Sequence, residues 1–261
     1  MNLNLSKTKK IVVKLGTDSV IKDNKFNSAM VNRMAKDVSA MVRQGKQFII
    51  VSSGAIGMGL EQTNLHNTEL SIEKQQAMAA IGQCRLMYDY EKAFAKYNQI
   101  IAQVLITQQD FENPKTLKNL KHTLSALLSL NVVPIINEND VVATEELAFK
   151  KHFSDNDVLA AKVASHIKAD LLVMASDVGG LFTENPKHNK DAVLLERVKS
   201  LRYLKVRIKG KSSGGRGGFS TKLEAAEIAL KSKIPLIVTK GSPGFLSKIM
   251  DGKVKGTLFK G

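Results

Sequence analysis

Short, almost continuous apolar runs alternate along the chain with stretches in which apolar residues recur every three or four positions. The apolar runs predict strands at 11–17, 47–51, 100–106, 132–136, 170–175 and 234–239, with a short strand pair near 257–259. The helical spacing predicts helices at 27–44, 72–97, 114–130, 155–168 and 219–232, and for 181–207 we expect a short hairpin and a polar helix or strand. Strands this apolar are buried on both faces. We therefore expect an α/β fold, a three-layer αβα sandwich with a mainly parallel central sheet.

The length and composition of the chain favour one domain. Its 261 residues suffice for a large α/β domain, and no stretch rich in Pro, Gly and Ser divides them, so we expect a single domain over 1–261. The N-terminus lacks the apolar core of a signal peptide, and no run reaches the roughly 18 apolar residues of a membrane span. The single cysteine, Cys84, excludes an intrachain disulfide. These features predict a cytoplasmic protein without a membrane partner.

The net charge of +15 is open to two interpretations. It is typical of a nucleic-acid-binding protein, or of a basic surface that attracts a small anionic substrate. The lysines are spread along the chain instead of being gathered in one arm, and the chain has no Trp and only four Tyr for stacking on bases. The composition therefore favours an anionic substrate over nucleic acid.

Small polar residues and glycines follow four of the predicted strands, at 16–17, 52–59, 137–140 and 176–177. In parallel sheets, ligands bind beyond the carboxyl ends of the strands, so these residues are candidates for a site. The loop S-S-G-A-I-G-M-G at 52–59 either brings backbone N–H groups close to an anion or is an ordinary turn. The residues 154–157 also fit a helix N-cap followed by acidic residues in the first turn.

Two lysines occupy positions that local structure does not favour. Lys14 lies within an apolar strand, where it either extends to water at the strand end or presents a fixed cation to a phosphate. Lys222 lies in the first turn of a helix that follows the glycine-rich 214–218, and a cation is unfavourable there unless an anion binds. A solvated surface lysine is the alternative. The chain has no G-x-x-x-x-G-K-[ST] loop, so a nucleotide would be held differently.

Five stretches between Val12 and Ala229 carry a family pattern: V-V-K-L-G-T, I-V-S-S-G-A-I-G-M-G, P-I-I-N-E-N-D-V-V-A-T, F-S-D-N-D-V-L-A-A and G-G-F-S-T-K-L-E-A-A-E-I-A. Together they resemble the amino acid kinase family. N-E-N-D combined with D-N-D is similar to the branch that acts on glutamate, whereas the other stretches are shared with branches that phosphorylate carbamate, aspartate, N-acetylglutamate or UMP. The resemblance implies transfer of the γ-phosphoryl group of ATP to the side-chain carboxylate of L-glutamate. The product would be L-glutamyl 5-phosphate, the first intermediate towards proline.

The resemblance also implies roles for individual residues. Lys14 and Lys222 would carry the charge for phosphoryl transfer, and Asp157 would position both lysines. Asp140 would bind the α-ammonium group of glutamate. Asn156 and the Ser53 loop would donate hydrogen bonds to its carboxylates. The implied ATP-binding residues are Lys14, Ser176, Asp177, Arg216, Gly217, Gly218, Phe219, Ser220, Thr221 and Lys222. Protein ligands for a metal are not implied, because Mg²⁺ would be held mainly by ATP and water.

Three features depart from the usual pattern of this family. Asp18 occupies a small-residue position, Arg216 and Phe219 replace residues of G-T-G-G-M-x-T-K, and the chain leaves no room for the C-terminal RNA-binding (PUA) domain of many relatives. The expected partners are L-glutamate and ATP. The resemblance further implies a homo-oligomer, dimer or tetramer, and suggests glutamyl phosphate reductase, the next enzyme of the pathway, as a protein partner.

Two alternatives remain open. One is another carboxylate kinase of the family, which acts on aspartate or N-acetylglutamate, and the other is a basic RNA-binding module. Residues 141–153 are a candidate lid over the amino acid.

Overall fold

The computed structural model of the chain describes residue 5 and residues 7–23, 25–65, 70–143, 156–184, 189–201 and 219–261. Its strands are, in chain order, β1 (Lys10–Leu15), β2 (Ile21–Lys22), β3 (Lys25–Phe26), β4 (Gln47–Val51), β5 (Ile101–Ile106), β6 (Val133–Glu138), β7 (Leu171–Ser176), β8 (Arg197–Val198), β9 (Leu236–Lys240) and β10 (Gly256–Phe259). Its helices are α1 (Thr17–Val20), α2 (Ser28–Arg43), α3 (Ala55–Thr63), α4 (Ile72–Ala95), α5 (Gln109–Glu112), α6 (Pro114–Ser129), α7 (Asn156–Ile167), α8 (Phe219–Lys231) and α9 (Phe245–Met250).

Eight strands of the described residues form one sheet in the order β5-β6-β4-β1-β7-β9-β10-β8. Neighbouring strands are parallel apart from β9 and β10, and β2 pairs with β3 in a separate hairpin. The predicted α/β sandwich with a mainly parallel sheet is therefore confirmed. In the central strand β1, Lys14 lies opposite Val51 of β4 and Met174 of β7. The loops that follow these three strands consequently meet at one edge of the sheet.

The strands separate two apolar cores. Val13 of β1 packs in a core with residues of α2, α4 and α9, whereas Val12 packs in the other core, with residues of α6, α7 and α8. Since successive side chains of a strand point to opposite faces, Lys14 lies on the Val12 side of the sheet. This geometry brings the Lys14 side chain under the helices α7 and α8.

Local sequence explains where two of the helices begin. The side chain of Asn27 accepts a hydrogen bond from the Met30 N–H and so caps α2, as predicted. Asn113 caps α6 in the same way, and Pro114 occupies a first-turn position that needs no N–H donor. The apolar positions predicted for α2 are buried: Met30, Met34, Val38, Met41 and Val42.

Helices α3 and α4 touch through their backbones at two glycines. A Cβ atom on Gly59 would lie 2.0 Å from the carbonyl oxygen of Met78, and one on Gly82 would lie 1.8 Å from the carbonyl oxygen of Ala55. Neither position can hold a side chain unless the helices separate. The contact holds α4 against the residues that follow β4.

Part of the sequence prediction is wrong. The predicted loop 52–59 is a loop only to Gly54, because α3 begins at Ala55; the glycines at 57 and 59 indicated a loop, yet Gly59 serves the close helix contact. The β2–β3 hairpin and α9 were not predicted. Within 181–207, the structure has the short strand β8 and a bridge between Phe182 and Leu194, and 202–207 lie outside the described residues. Across the described ranges, none of the helices combines the length and apolar character that a bilayer span requires.

Candidate active site

Lys14 is a buried cation at the carboxyl end of the central strand. Only 5% of its surface is exposed, and a buried lysine requires a charged or polar partner. Its Nζ lies 2.6 Å from Oδ1 of Asp157, which belongs to the first turn of α7. The alternative that Lys14 extends to water is therefore wrong, since the side chain ends inside the protein.

Asp157 also contacts Lys222, so one carboxylate joins two cations. Lys222 Nζ lies 3.1 Å from Oδ2 of Asp157, and Asp157 itself is 1% exposed. Burial by itself would raise the pKa of Asp157, but the charges and hydrogen bonds of Lys14 and Lys222 outweigh burial and hold the pKa below its ordinary value. Two ammonium groups and one carboxylate leave a net positive charge. The cluster is suited to bind an anion with several negative oxygens.

Asn156, the residue before Asp157, holds the end of β6 and the loop after β4 together. Its Nδ2 lies 2.7 Å from the Ser52 carbonyl oxygen, 2.8 Å from Ser53 Oγ and 3.2 Å from Asn137 Oδ1. The carbonyl of Ser52 can only accept, so the orientation of the Asn156 amide is fixed. Both N–H groups are consequently used within the protein, and the buried Oδ1 has no hydrogen-bond partner among the residues that the structure describes.

This orientation corrects one expectation. We predicted that Asn156 donates a hydrogen bond to a carboxylate of the substrate, whereas the atom that it leaves for a ligand is an acceptor. An acceptor suits an ammonium group. A sequence cannot reveal such a detail, because the orientation depends on a carbonyl 104 residues away along the chain.

Helix α4 supports the loop between β4 and α3. Gly54 has φ +109°, a left-handed conformation that favours glycine, and it stands at the N-terminus of α3. The Ser52 hydroxyl lies 2.8 Å from the hydroxyl of Tyr90. Burial raises the pKa of Tyr90 above its ordinary value, more than the Ser52 hydrogen bond lowers it, so the phenol stays protonated. The Ser53 hydroxyl is thereby held next to Asn156.

The remaining predicted residues lie around this centre to different extents. Ser176 ends β7, one strand from Lys14, and its hydroxyl donates to the Val178 carbonyl oxygen at 2.6 Å; Asp177 follows it. Asp140 lies in the turn after β6 and lines a cavity between α4 and β5. In α8, Phe219 is the first residue, Ser220 is exposed and Thr221 is buried. Arg216, Gly217 and Gly218 lie outside the described residues, as do residues 144–153 of the candidate lid.

Two residues of the site, Gln83 and Tyr90, were not predicted, and Ser52 and Asn137 were included only as members of the candidate segments 52–59 and 137–140. Asn137 Nδ2 donates to Gln83 Oε1 at 2.8 Å, which extends the Asn156 network to α4. The sequence signal for Asn137 was present, since it is the first polar residue after an apolar strand. Gln83 and Tyr90 lie on a helix with many polar residues, and no local pattern distinguishes them.

Comparison with known proteins gives consistent results. The profile of the amino acid kinase family matches residues 9–240. A glutamate 5-kinase of Enterococcus faecalis is 42% identical over 99% of this chain and 97% of its own length, and one of Lactiplantibacillus plantarum is 41% identical over 97% of both. A longer glutamate 5-kinase, of Carboxydothermus hydrogenoformans, is 40% identical over 98% of this chain and 68% of its own length.

Solved structures show the same fold at much lower identity. The UMP kinase of Ureaplasma parvum superposes with a TM-score of 0.67 at 17% identity, covering 98% of this chain and all (100%) of its own. An isopentenyl phosphate kinase superposes with a TM-score of 0.65 at 16% identity, covering 96% and 100%.

Proposed function

Since the chain belongs to the amino acid kinase family, we propose that it transfers the γ-phosphoryl group of ATP to the side-chain carboxylate of L-glutamate. The observation that carries this proposal is the buried Lys14–Asp157–Lys222 cluster, which adjoins the Ser53 loop and Asn156. The relatives that match over nearly the full chain are glutamate 5-kinases. The product, L-glutamyl 5-phosphate, opens proline biosynthesis.

The reaction requires no general base. The side-chain carboxylate is ionised at neutral pH, so it attacks as it stands. A new bond forms between a carboxylate oxygen and the γ-phosphorus while the bond from that phosphorus to the bridging oxygen breaks, and ADP leaves with the electron pair. Catalysis then consists of positioning and of stabilising charge on the transferring group.

The two lysines supply that stabilisation. Their ammonium groups reduce the repulsion between the attacking carboxylate and the triphosphate, which would otherwise keep the two anions apart. Asp157 holds Lys14 at 2.6 Å and Lys222 at 3.1 Å, so both charges are in place before the substrates bind. Asp157 is thus a positioning residue.

The amino acid is recognised beside this cluster. The buried acceptor Oδ1 of Asn156 and the carboxylate of Asp140 suit the α-ammonium group of an unmodified amino acid. An N-acetylated substrate lacks that charge, and aspartate is one methylene shorter between ammonium and reacting carboxylate. These groups support L-glutamate over an N-acetylated substrate, and the glutamate 5-kinases among the relatives support it over aspartate.

ATP would extend from the cluster towards β7 and α8. Lys14 and Lys222 would contact its phosphates, with Ser176, Asp177 and the start of α8 near the rest of the nucleotide. Both oxygens of Asp157 are occupied by the lysines, so this carboxylate is not available as a metal ligand. Mg²⁺ would accordingly be bound by phosphate oxygens and water, where it neutralises charge on the triphosphate. The homo-oligomer and the reductase partner remain predictions.

Trapping with hydroxylamine tests the proposal. The chain is incubated with ATP, Mg²⁺ and, in separate reactions, L-glutamate, L-aspartate or N-acetyl-L-glutamate, and the hydroxamate and ADP are measured. We expect hydroxamate from L-glutamate at a rate at least tenfold above the others, which corresponds to a discrimination of about 1.4 kcal/mol. Hydroxamate from aspartate or N-acetylglutamate, but not from glutamate, would show that the substrate is that other acid. RNA binding that weakens with salt, without any ADP release, would refute the kinase activity and favour an RNA-binding function.

A further inference from the structure

A directed chain of side-chain amides runs from the candidate active site into α4. The fixed Asn156 Nδ2 lies 3.2 Å from Asn137 Oδ1, and Asn137 Nδ2 lies 2.8 Å from Gln83 Oε1. Because the Ser52 carbonyl fixes the first amide, each following amide must present its oxygen towards Asn156 and its nitrogen away from it. The orientation of Gln83 is therefore determined as well.

The two ends of this chain are complementary, and neither has a hydrogen-bond partner within the part of the chain that the structure describes. At one end is Oδ1 of Asn156, an acceptor, and at the other is Nε2 of Gln83, a donor; both atoms are buried without a hydrogen bond to any described residue. Native proteins rarely leave buried polar atoms in this state, and a ligand that binds there is one explanation of those exceptions. A zwitterionic amino acid offers the matching groups, an ammonium donor and a carboxylate acceptor.

Gln83 also lines a cavity that is bordered by Asp140, one of the residues implied to bind glutamate. The cavity has a volume of about 1000 Å³, and its lining includes Glu138, Asn139 and Asp140, which follow Asn137, the hydrogen-bond partner of Gln83. Glu138 and Asp140 attract an ammonium group but repel a carboxylate, so the α-carboxylate of an amino acid needs a donor at this end. Gln83 Nε2 is such a donor, and the groups that cover it must move aside when the amino acid binds.

We propose that Gln83 is a specificity-determining residue that donates a hydrogen bond from Nε2 to the α-carboxylate of the bound amino acid. This inference rests on the proposed function. Asn156 Oδ1 accepts from the α-ammonium group, while Oε1 of Gln83 keeps Asn137 in its orientation. The amide chain thereby binds both the α-ammonium and the α-carboxylate group, and the side-chain carboxylate faces the lysines.

Two variants and an analogue test this assignment. Gln83→Glu keeps the acceptor for Asn137 but replaces the donor by a negative charge, and Gln83→Met removes both. We expect each to raise the KM for L-glutamate roughly tenfold to hundredfold, which is the effect of losing one hydrogen bond to a charged group. The KM for ATP should stay within about twofold, because the phosphate site is unchanged.

L-Isoglutamine, the α-amide of glutamate, separates recognition from structural support. It keeps the ammonium group and the reacting carboxylate, but its α-amide can donate a hydrogen bond. Wild-type protein should strongly prefer L-glutamate, whereas Gln83→Glu should lower the ratio of kcat/KM for L-glutamate to that for L-isoglutamine at least about hundredfold. If Gln83 only supported Asn137, its substitution would not change this ratio.

The matched control is Gln99→Met, which changes another glutamine of the same cavity whose Nε2 already donates to the carbonyl oxygens of Ile100 and Asn131. It should leave both KM values and the ratio as in the wild type, and thermal unfolding shows whether each variant folds. A Gln83→Glu variant that keeps the wild-type ratio overturns the assignment. A wild-type protein that forms no glutamyl hydroxamate instead overturns the proposed function.

Discussion

Replacing Asp157 with asparagine would leave Lys14 and Lys222 facing each other without the carboxylate that separates them. The two ammonium groups lie 2.6 Å and 3.1 Å from the two oxygens of Asp157, and the carboxylate is 1% exposed. An amide keeps one oxygen and the shape of the side chain, but it carries no charge. The substitution therefore removes the electrostatic attraction with little change in packing.

The expected loss of stability follows from this burial. Removing one partner of a buried ion pair costs about 3–5 kcal/mol. Lys222 is 17% exposed and can turn towards water, so we expect the lower end of that range. A decrease of about 3 kcal/mol in the free energy of unfolding lowers Tm by about 6–12 °C in a protein of this size. Because both lysines lose their fixed positions, kcat should fall about a hundredfold or more.

Thermal unfolding by circular dichroism and the hydroxamate assay measure the two effects, and Asp37→Asn is the matched control. Asp37 is also buried and paired, with Arg33 at 3.0 Å and the Ser247 hydroxyl at 3.1 Å, but it lies on α2. The control should lose stability and keep kcat. Wild-type Tm and kcat in Asp157→Asn would refute the reasoning, and a lower Tm with normal kcat would restrict Asp157 to a structural role.

The pH dependence of stability gives a second test of the same residue. The pKa of Asp157 is lowered in the folded chain, so its contribution is fully present above its unfolded pKa of about 4 and is lost as the pH falls through the folded pKa. The wild-type Tm should therefore decrease towards that of Asp157→Asn in acid. Parallel curves of Tm against pH below about pH 4 would contradict the assignment.

Three further outcomes are expected. Lys14→Ala and Lys222→Ala should each lower kcat by about two orders of magnitude or more while the chain stays folded; normal turnover in either variant removes that lysine from the chemistry. Asn156→Ala should raise the KM for glutamate far more than the KM for ATP in initial-rate kinetics, and equal effects would move Asn156 out of the glutamate site. Tyr90→Phe removes the hydrogen bond below the Ser53 loop and should decrease the free energy of unfolding by about 1 kcal/mol in urea titrations; an unchanged midpoint would mean that the Ser52 hydroxyl needs no partner there.

The fold and the catalytic cluster could both be predicted from the sequence, but for different reasons. Buried parallel strands require unbroken apolar runs, so the sheet could be predicted from pattern alone. Since parallel strands end at one edge of a sheet, the sequence also predicts that Lys14, Ser53 and Ser176 lie near each other. The contact of Asp157 with both lysines was implied by family resemblance. It could not have been obtained from spacing, since helix caps have the same sequence pattern.

The details of recognition were less accessible, because they depend on contacts between distant parts of the chain. The orientation of Asn156 is set by the Ser52 carbonyl, and the contributions of Gln83 and Tyr90 come from one face of α4. The start of α3 was misplaced for a related reason. A glycine required for close helix packing and a glycine required for a turn look the same in a sequence.

The backbone contact of Gly59 with α4, and of Gly82 with α3, has a consequence for how genetic data on this chain should be interpreted. In a bacterium that depends on this activity for growth without added proline, alanine at either glycine would push apart the two helices that carry the Ser53 loop and Gln83. Without added proline, such a strain should grow no better than a strain in which Lys14 is replaced by alanine. A growth selection over all positions would then rank two glycines that touch no substrate among the catalytic residues, and the amount of folded protein in the cell would tell the two groups apart.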